Sequence, residues 1–397
     1  MTALDRIPVR ISDVELNRRW SAVRTAMGKH GVDALVMQNT NDWLGGYVKW
    51  FTDIPANNGY PRSIIFHADG PMTVIEMGPA GHRKKMGGDD PIHRGIDEMV
   101  FSPSFSSIAY TEGDDARLVA EELKHRSYRR IGWIGGGFLP HAFRQSIEAA
   151  LGTSATFVEA ADLVDPIKAI KSAEEQTLIR KAAALQDAVF EKVLGAIKPG
   201  MRDVDVTALA WREGQVLGSE QGVFLGFSSP MGRFAGFAGR HLQGRTLQPG
   251  DHLPLLIEIN GPGGFYTEIA RTIVLGLASQ ELLDGFAVVK AAQDAALKRM
   301  KPGTLCRDIA AAHDAYMNER GLPAELRVYS HGQGYDMVER PLIRADESMA
   351  IAEGMCFSVH PGYDTPTMFA MICDNYLIGP NGPGECLHRT EKKIFEV

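Results

Sequence analysis

Glu258-Ile-Asn-Gly-Pro-Gly-Gly-Phe-Tyr-Thr-Glu268-Ile-Ala-Arg-Thr272 is the stretch on which the reading of this chain turns. Its two glutamates are ten positions apart (268 − 258), with Gly261, Gly263 and Gly264 between them. Glycines at that density fit two strands joined by a tight turn. A hairpin of this kind sets the two carboxylates near one another. Anions so placed share a proton, share a metal ion or grip a cation. An isolated pair of strand glutamates would more simply be solvated, so the case for a site rests on segments further down the chain.

Three such segments come in order. They are Ser330-His331-Gly-Gln-Gly334, then Glu353-Gly-Met-Cys-Phe-Ser-Val-His360-Pro-Gly362, then Met371-Ile-Cys373-Asp374. Each holds a ligand-competent or proton-transferring side chain beside glycine or an apolar run. The glycines flanking His331 fit a close backbone approach. Cys373 leads into Asp374-Asn-Tyr-Leu-Ile, which reads as a buried strand, and a free cysteine there is commonly a small core residue.

The order of these four segments resembles the creatinase / aminopeptidase P / methionine aminopeptidase superfamily, the pita-bread fold. The resemblance implies an α/β N-terminal creatinase-type domain followed by an α+β pita-bread catalytic domain. It also implies five ligand places, filled in the metallopeptidases by Asp, Asp, His, Glu and Glu. In this chain those places read Glu258 or Asn260, Glu268, His331, His360 and Cys373. Ile269-Ala-Arg-Thr272 matches the family's step after its second aspartate, which gives Glu268 a site role and Arg271 that of a structural ion-pair partner. A second family histidine, seven positions after the first, is here Val338.

Imidazole and thiol stand where bridging carboxylates would offset the repulsion of two cations. A dinuclear centre is therefore not expected. Two readings stay open: no metal at all, as in creatinase, or one divalent ion (Zn or Fe) at Glu268, His331, His360 and Cys373. The metal-free reading is preferred. It takes His241, Glu258, Glu268 and His331 as catalytic, with His241 in Phe237-Ala-Gly-Arg-His241 as proton shuttle. It takes His360 and Cys373 as substrate contacts. By the same resemblance a homodimer is expected, with Trp50, Tyr60 and Arg62 of a partner's N-terminal domain completing the pocket and Arg62 gripping a carboxylate.

The function expected is that of a creatinase-like hydrolase of a C–N bond in a small polar metabolite. A mononuclear metal-dependent hydrolase or lyase and a non-catalytic binding protein are alternatives, and an Xaa-Pro peptidase ranks last because the carboxylate places differ.

Composition sets the frame. The chain has 397 residues, 44% hydrophobic and 23% charged, with a net charge of -7. That is ordinary globular composition. Scattered Lys and Arg carry no footprint of a nucleic-acid binder. Four cysteines without CxxC spacing argue for a reducing compartment rather than a disulfide framework. No apolar run reaches a membrane span, and Met1-Thr-Ala-Leu-Asp-Arg6 has no signal-like apolar region, so a cytoplasmic protein is expected.

Helical spacing from Val14 to His30, a strand at Ala34–Met37 and a hairpin around Ala68-Asp-Gly-Pro71 open an α/β region. Strands at Arg130–Ile134 and Thr156–Val158 and helices at Leu118–His125 and Phe143–Leu151 continue it. The division expected is 1–165 and 166–397. After it, Ser172 with Glu175 forms a capping-box pattern. Ile197-Lys-Pro-Gly200 recurs as Met300-Lys-Pro-Gly303, 103 positions later (303 − 200), which suggests a duplicated α+β unit.

Overall fold

The long helix Asp13–His30 begins where Ser12 accepts a hydrogen bond from the Glu15 amide and ends at Gly31, whose φ of 63° suits a residue without Cβ. This helix lies in a computed structural model that describes residues 9–39, 46–55, 59–105 and 107–397. The Met1–Arg6 stretch lies outside those residues. The chain divides into two compact units, Met1–Lys168 and Ala169–Val397. Pro166, next to the expected division, sits inside the helix Ala161–Ala169.

The first unit is built on a seven-stranded mixed sheet. Its strand order is Arg83–Lys85, Ile96–Ser102, Met72–Met77, Arg62–His67, Ala34–Asn39, Arg130–Trp133, Thr156–Glu159. The Ala34 strand is buried at every position, through the apolar run Ala34–Met37 and on into Gln38 and Asn39. The hairpin forms with Ile64 opposite Val74. Helices Glu112–His125 and His141–Leu151 pack Leu118, Leu123, Phe143 and Ile147 against Trp133 and Ile131 of the sheet.

The second unit carries the four segments. Its opening helix, Ala173–Ala196, starts on a complete capping box between Ser172 and Glu175. It lays Leu185, Val189 and Val193 on Leu255, Ile257 and Ile269. One sheet runs Tyr266–Val274, Asp251–Asn260, Gly222–Leu225 in antiparallel pairs, with Phe395–Glu396 added in parallel outside Tyr266–Val274. A second runs Glu339–Leu342, Ser330–Gly332, Cys356–Val359, Asp374–Gly379, Gly382–Cys386.

The Lys-Pro-Gly echo is structural. Gly200 and Gly303 both have φ of 90°, and each follows one helix and precedes another. The Gly200 amide donates to the Leu247 carbonyl and the Gly303 amide to the Ile351 carbonyl, both at 2.9 Å. The Leu247 and Ile351 amides answer to Met201 and Thr304, both at 2.8 Å. Each half is thus a helix pair on an antiparallel sheet. The sheets meet where Ala270 pairs with Cys373 in an isolated antiparallel bridge. No helix among the described residues is long and apolar enough to cross a membrane.

Candidate active site

The site grows from that seam. In the register of the first sheet Glu258 stands directly opposite Glu268. Such cross-strand pairs hold their Cβ atoms about 4.5–5.5 Å apart. Asn260 faces Tyr266 instead. Its side-chain oxygen accepts from Ser219 Oγ and the Glu220 and Gln221 amides, which closes a loop. Glu258, rather than Asn260, therefore faces the site.

From the second sheet, His331 and Ser358 are cross-strand neighbours. Ser358 Oγ donates to Glu268 Oε2 at 2.8 Å, and His331 Nε2 lies 3.8 Å from the same oxygen. His331 Nδ1 donates to the Gly332 carbonyl at 3.0 Å. That bond leaves the Nε2 lone pair facing Glu268. His360 comes just after the strand end, its amide donating to the Tyr329 carbonyl at 2.7 Å. Its ring lies 5.0 Å from that of His331, centroid to centroid. His360 Nε2 is buried with no hydrogen-bond partner. One donor atom each from Glu268, His331 and His360 falls within 4.8 Å of the other two.

Burial governs protonation here. It pushes His331 down to about 4, with the neighbouring His360 adding to the effect and Glu268 opposing it. It pushes His360 down to about 4 as well, with Arg327 adding to the effect. Both imidazoles are neutral at pH 7 and present lone pairs. Burial, reinforced by the Glu268 charge, pushes Glu258 well above the ordinary carboxylate range. The same two causes push the Cys373 thiol well up.

Cys373 stays outside the trio. Its sulfur lies 3.1 Å from Ser358 Oγ and 3.4 Å from the Glu268 carbonyl oxygen, to which it donates. The donors that fall within 4.8 Å of one another are those of Glu268, His331 and His360, without Cys373, so the four-ligand set reduces to three. Arg271 is the structural partner expected of it: fully buried, it pairs with Asp374 at 2.5 Å and donates to the Cys373 carbonyl.

His241 is exposed on the one-turn helix Arg240–Leu242 and makes no hydrogen bond among the described residues. Trp50, 1% exposed, is a core residue of the first unit, edge-on to Phe51 and under the Arg19 guanidinium. Its ring therefore presents no surface for substrate contact, and that expectation is corrected. Arg62 is held by Glu76 at 2.7 Å and by the Pro55 carbonyl. Tyr60 is partly exposed and packs on Phe105. Val338, at the place of the second family histidine, is exposed.

Sequence reading missed a polar chain behind the carboxylates. Gln333 Nε2 donates to Glu258 Oε1 at 2.8 Å and to the Met337 carbonyl at 3.0 Å. Gln333 Oε1 accepts from Asn375 Nδ2 at 2.7 Å. Asn375 Oδ1 in turn accepts from the Glu268 amide at 2.6 Å and from His388 Nε2 at 3.2 Å. Gln333 and Ser358 both lie inside the quoted segments. Their side-chain partners come from strands distant in sequence, and no local pattern announces them.

The sequence profile of metallopeptidase family M24 matches residues 177–380, just over half of the chain. The chain belongs to metallopeptidase family M24. A probable dipeptidase PepE of Mycobacterium tuberculosis is 28% identical over 231 residues, 56% of this chain and 59% of that protein. This chain thus matches well under two thirds of that relative's length. An Xaa-Pro dipeptidase of Pyrococcus furiosus is 25% identical over 238 residues, 59% of this chain and 67% of that protein. The X-Pro aminopeptidase structure from Thermotoga maritima MSB8 superposes with a TM-score of 0.77, covering 96% of this chain and 99% of that one at 17% identity, which fixes the two-domain pita-bread fold.

These relationships overturn the creatinase-like assignment and the ranking that puts peptidase last. The family hydrolyses C–N peptide bonds, and the two relatives above are named a probable dipeptidase and an Xaa-Pro dipeptidase. The physical reason for the error is specific. Loss of bridging carboxylates bears on how many ions a site can hold, and not on which bond is cleaved.

Proposed function

We propose that this protein hydrolyses the amide bond of short peptides, dipeptides above all, with one divalent cation held by Glu268, His331 and His360. The observation that carries the reading is the buried, unpartnered Nε2 of His360, on a residue that has one donor atom within 4.8 Å of donors on Glu268 and His331. A buried ring nitrogen without a partner is costly unless something occupies it. The donor set of two neutral imidazoles and one carboxylate suits Zn or Fe. A second ion finds no bridging carboxylate, because Cys373 and His360 occupy those places.

A bound ion would supply Lewis acidity toward the scissile carbonyl and a more acidic water. The chain's own residues do the rest. Ser358 fixes the Glu268 carboxylate through Oε2. Gln333 holds Glu258 by Oε1, and among the described residues the second oxygen of Glu258 has no hydrogen-bond partner. That oxygen is the one free to take and return a proton.

The test is metal analysis of the purified chain alongside hydrolysis of Ala-Pro and Ala-Leu. One ion per chain, with activity lost on chelation and regained on adding back Zn or Fe(II), is the expected result. Two tightly bound ions, or undiminished cleavage by ion-free protein, would sink the reading.

A further inference from the structure

The ladder that carries His331 and His360 continues past both. Ser330 pairs with Val359, and the His360 amide bonds to Tyr329. Two residues further on, Arg327 comes alongside Gly362. Glu325 Oε2 accepts from the Gly362 amide at 3.1 Å. Glu325 also takes Nε and Nη2 of Arg327, both at 3.0 Å. One edge of the guanidinium is thereby fixed. Nη1 has no hydrogen-bond partner among the described residues, and the Arg327 side chain is 47% exposed. A Cβ built on Gly362 would overlap Arg327 Nη2 and lie 3.6 Å from Phe369 Cε2. Guanidinium and aromatic ring therefore share the space above Gly362.

The ring belongs to an apolar wall. Phe369 lies 5.3 Å from Phe237, edge-on, and 5.8 Å from Phe234, centroid to centroid. Phe369 clusters with Leu256, Ala270, Met371 and Cys373. Leu256 and Ala270 are two residues from Glu258 and Glu268 on the same faces of their strands. The wall thus adjoins the carboxylates at one end and reaches solvent at Phe234, 38% exposed, at the other.

A planar fork with a free edge suits a carboxylate, and aromatic faces suit an apolar side chain. A C-terminal amino-acid residue offers both groups on one carbon. We propose that Arg327 and Phe369 recognise the C-terminal residue of the substrate, Arg327 its free carboxylate and Phe369 with Phe234 its bulky apolar side chain. This rests on the peptidase reading above and narrows its substrates to peptides ending in an unblocked apolar residue.

The test compares Ala-Leu with Ala-Leu-amide and with Ala-Asp. Wild type is expected to favour Ala-Leu over its amide in kcat/KM by on the order of 10- to 100-fold, the worth of a charged hydrogen-bonded pair. Arg327→Met collapses that ratio and Arg327→Lys restores part of it. Phe369→Ala lowers the preference for Leu over Asp. Metal content and Tm of each variant report whether the fold is intact. Binding of free L-leucine against L-leucinamide, followed by calorimetry, needs no turnover. Arg327-dependent binding of leucine by a protein that cleaves no dipeptide would uphold this recognition and remove the peptidase reading. Dipeptide cleavage indifferent to the amide and to Arg327 would uphold the peptidase reading and overturn this one.

Discussion

Glu258 and Glu268 face each other across one antiparallel ladder, yet only Glu268 joins the histidines. Ser358 holds Glu268 and Gln333 holds Glu258. Two carboxylates with the same neighbours in the backbone are thus given different work by the side chains that reach them from the second sheet.

That division predicts the effect of Glu258→Gln. With no ion bound, the Glu258 carboxyl is held protonated by burial and by Glu268. Its proton affinity is higher in the folded than in the unfolded chain, so ionising it costs stability as pH rises past the ordinary glutamate range. The amide removes that cost. Ion-free Glu258→Gln should exceed wild type in urea stability at pH 8, by about 1–3 kcal/mol, and match it near pH 4. Turnover should fall at least about a hundredfold, the usual worth of a proton-transferring group.

The histidines act with the opposite sign. Both are pushed down to about 4 from an unfolded value of 6.5. The unfolded chain therefore binds more protons between those values, and stability present above pH 6.5 is lost as pH falls toward 4. Urea midpoints of the ion-free protein should decline through this window. His360→Gln should flatten the decline and weaken Zn retention in a chelator competition at pH 7.

Gln333→Leu removes a donor to Glu258 and an acceptor from Asn375 at once. Each orphaned buried group costs about 1–3 kcal/mol. Thermal unfolding should register that loss, and ion content should stay at one per chain because no ligand is touched.

The pair of Arg271 and Asp374, both fully buried, predicts a larger penalty. Breaking such a pair by removing one partner costs about 3–5 kcal/mol. Arg271→Met should lower the urea midpoint accordingly. The double change with Asp374→Asn should recover part of it.

His241 tests the proton-shuttle expectation. It is exposed on a single helical turn, with no bond to any site residue among those described. Steady-state kinetics of His241→Ala on a dipeptide should stay within a few-fold of wild type.

The fold is legible in the sequence because its signals are local. Gly263 and Gly264 mark the hairpin, Ser172 and Glu175 cap a helix, and the Lys-Pro-Gly echo marks the repeat. Glu268, His331 and His360 are legible as site residues through their flanking motifs. The hidden part depends on contacts between distant segments. Asn375 reaches Gln333 across 42 positions and the Glu268 amide across 107. The aromatic wall joins Phe234 to Phe369 in the same way. Trp50 shows the converse limit, since a role carried over by family resemblance says nothing of the residue's burial in this chain.

The turns at Gly200 and Gly303 repeat one another in backbone, but the chemistry of the second unit is divided. Both acids come from one half and both imidazoles from the other. Neither half alone can assemble the trio. Severing the chain between the repeats would separate acid from base, and ion capture by mixed fragments would then be a direct gauge of their reunion.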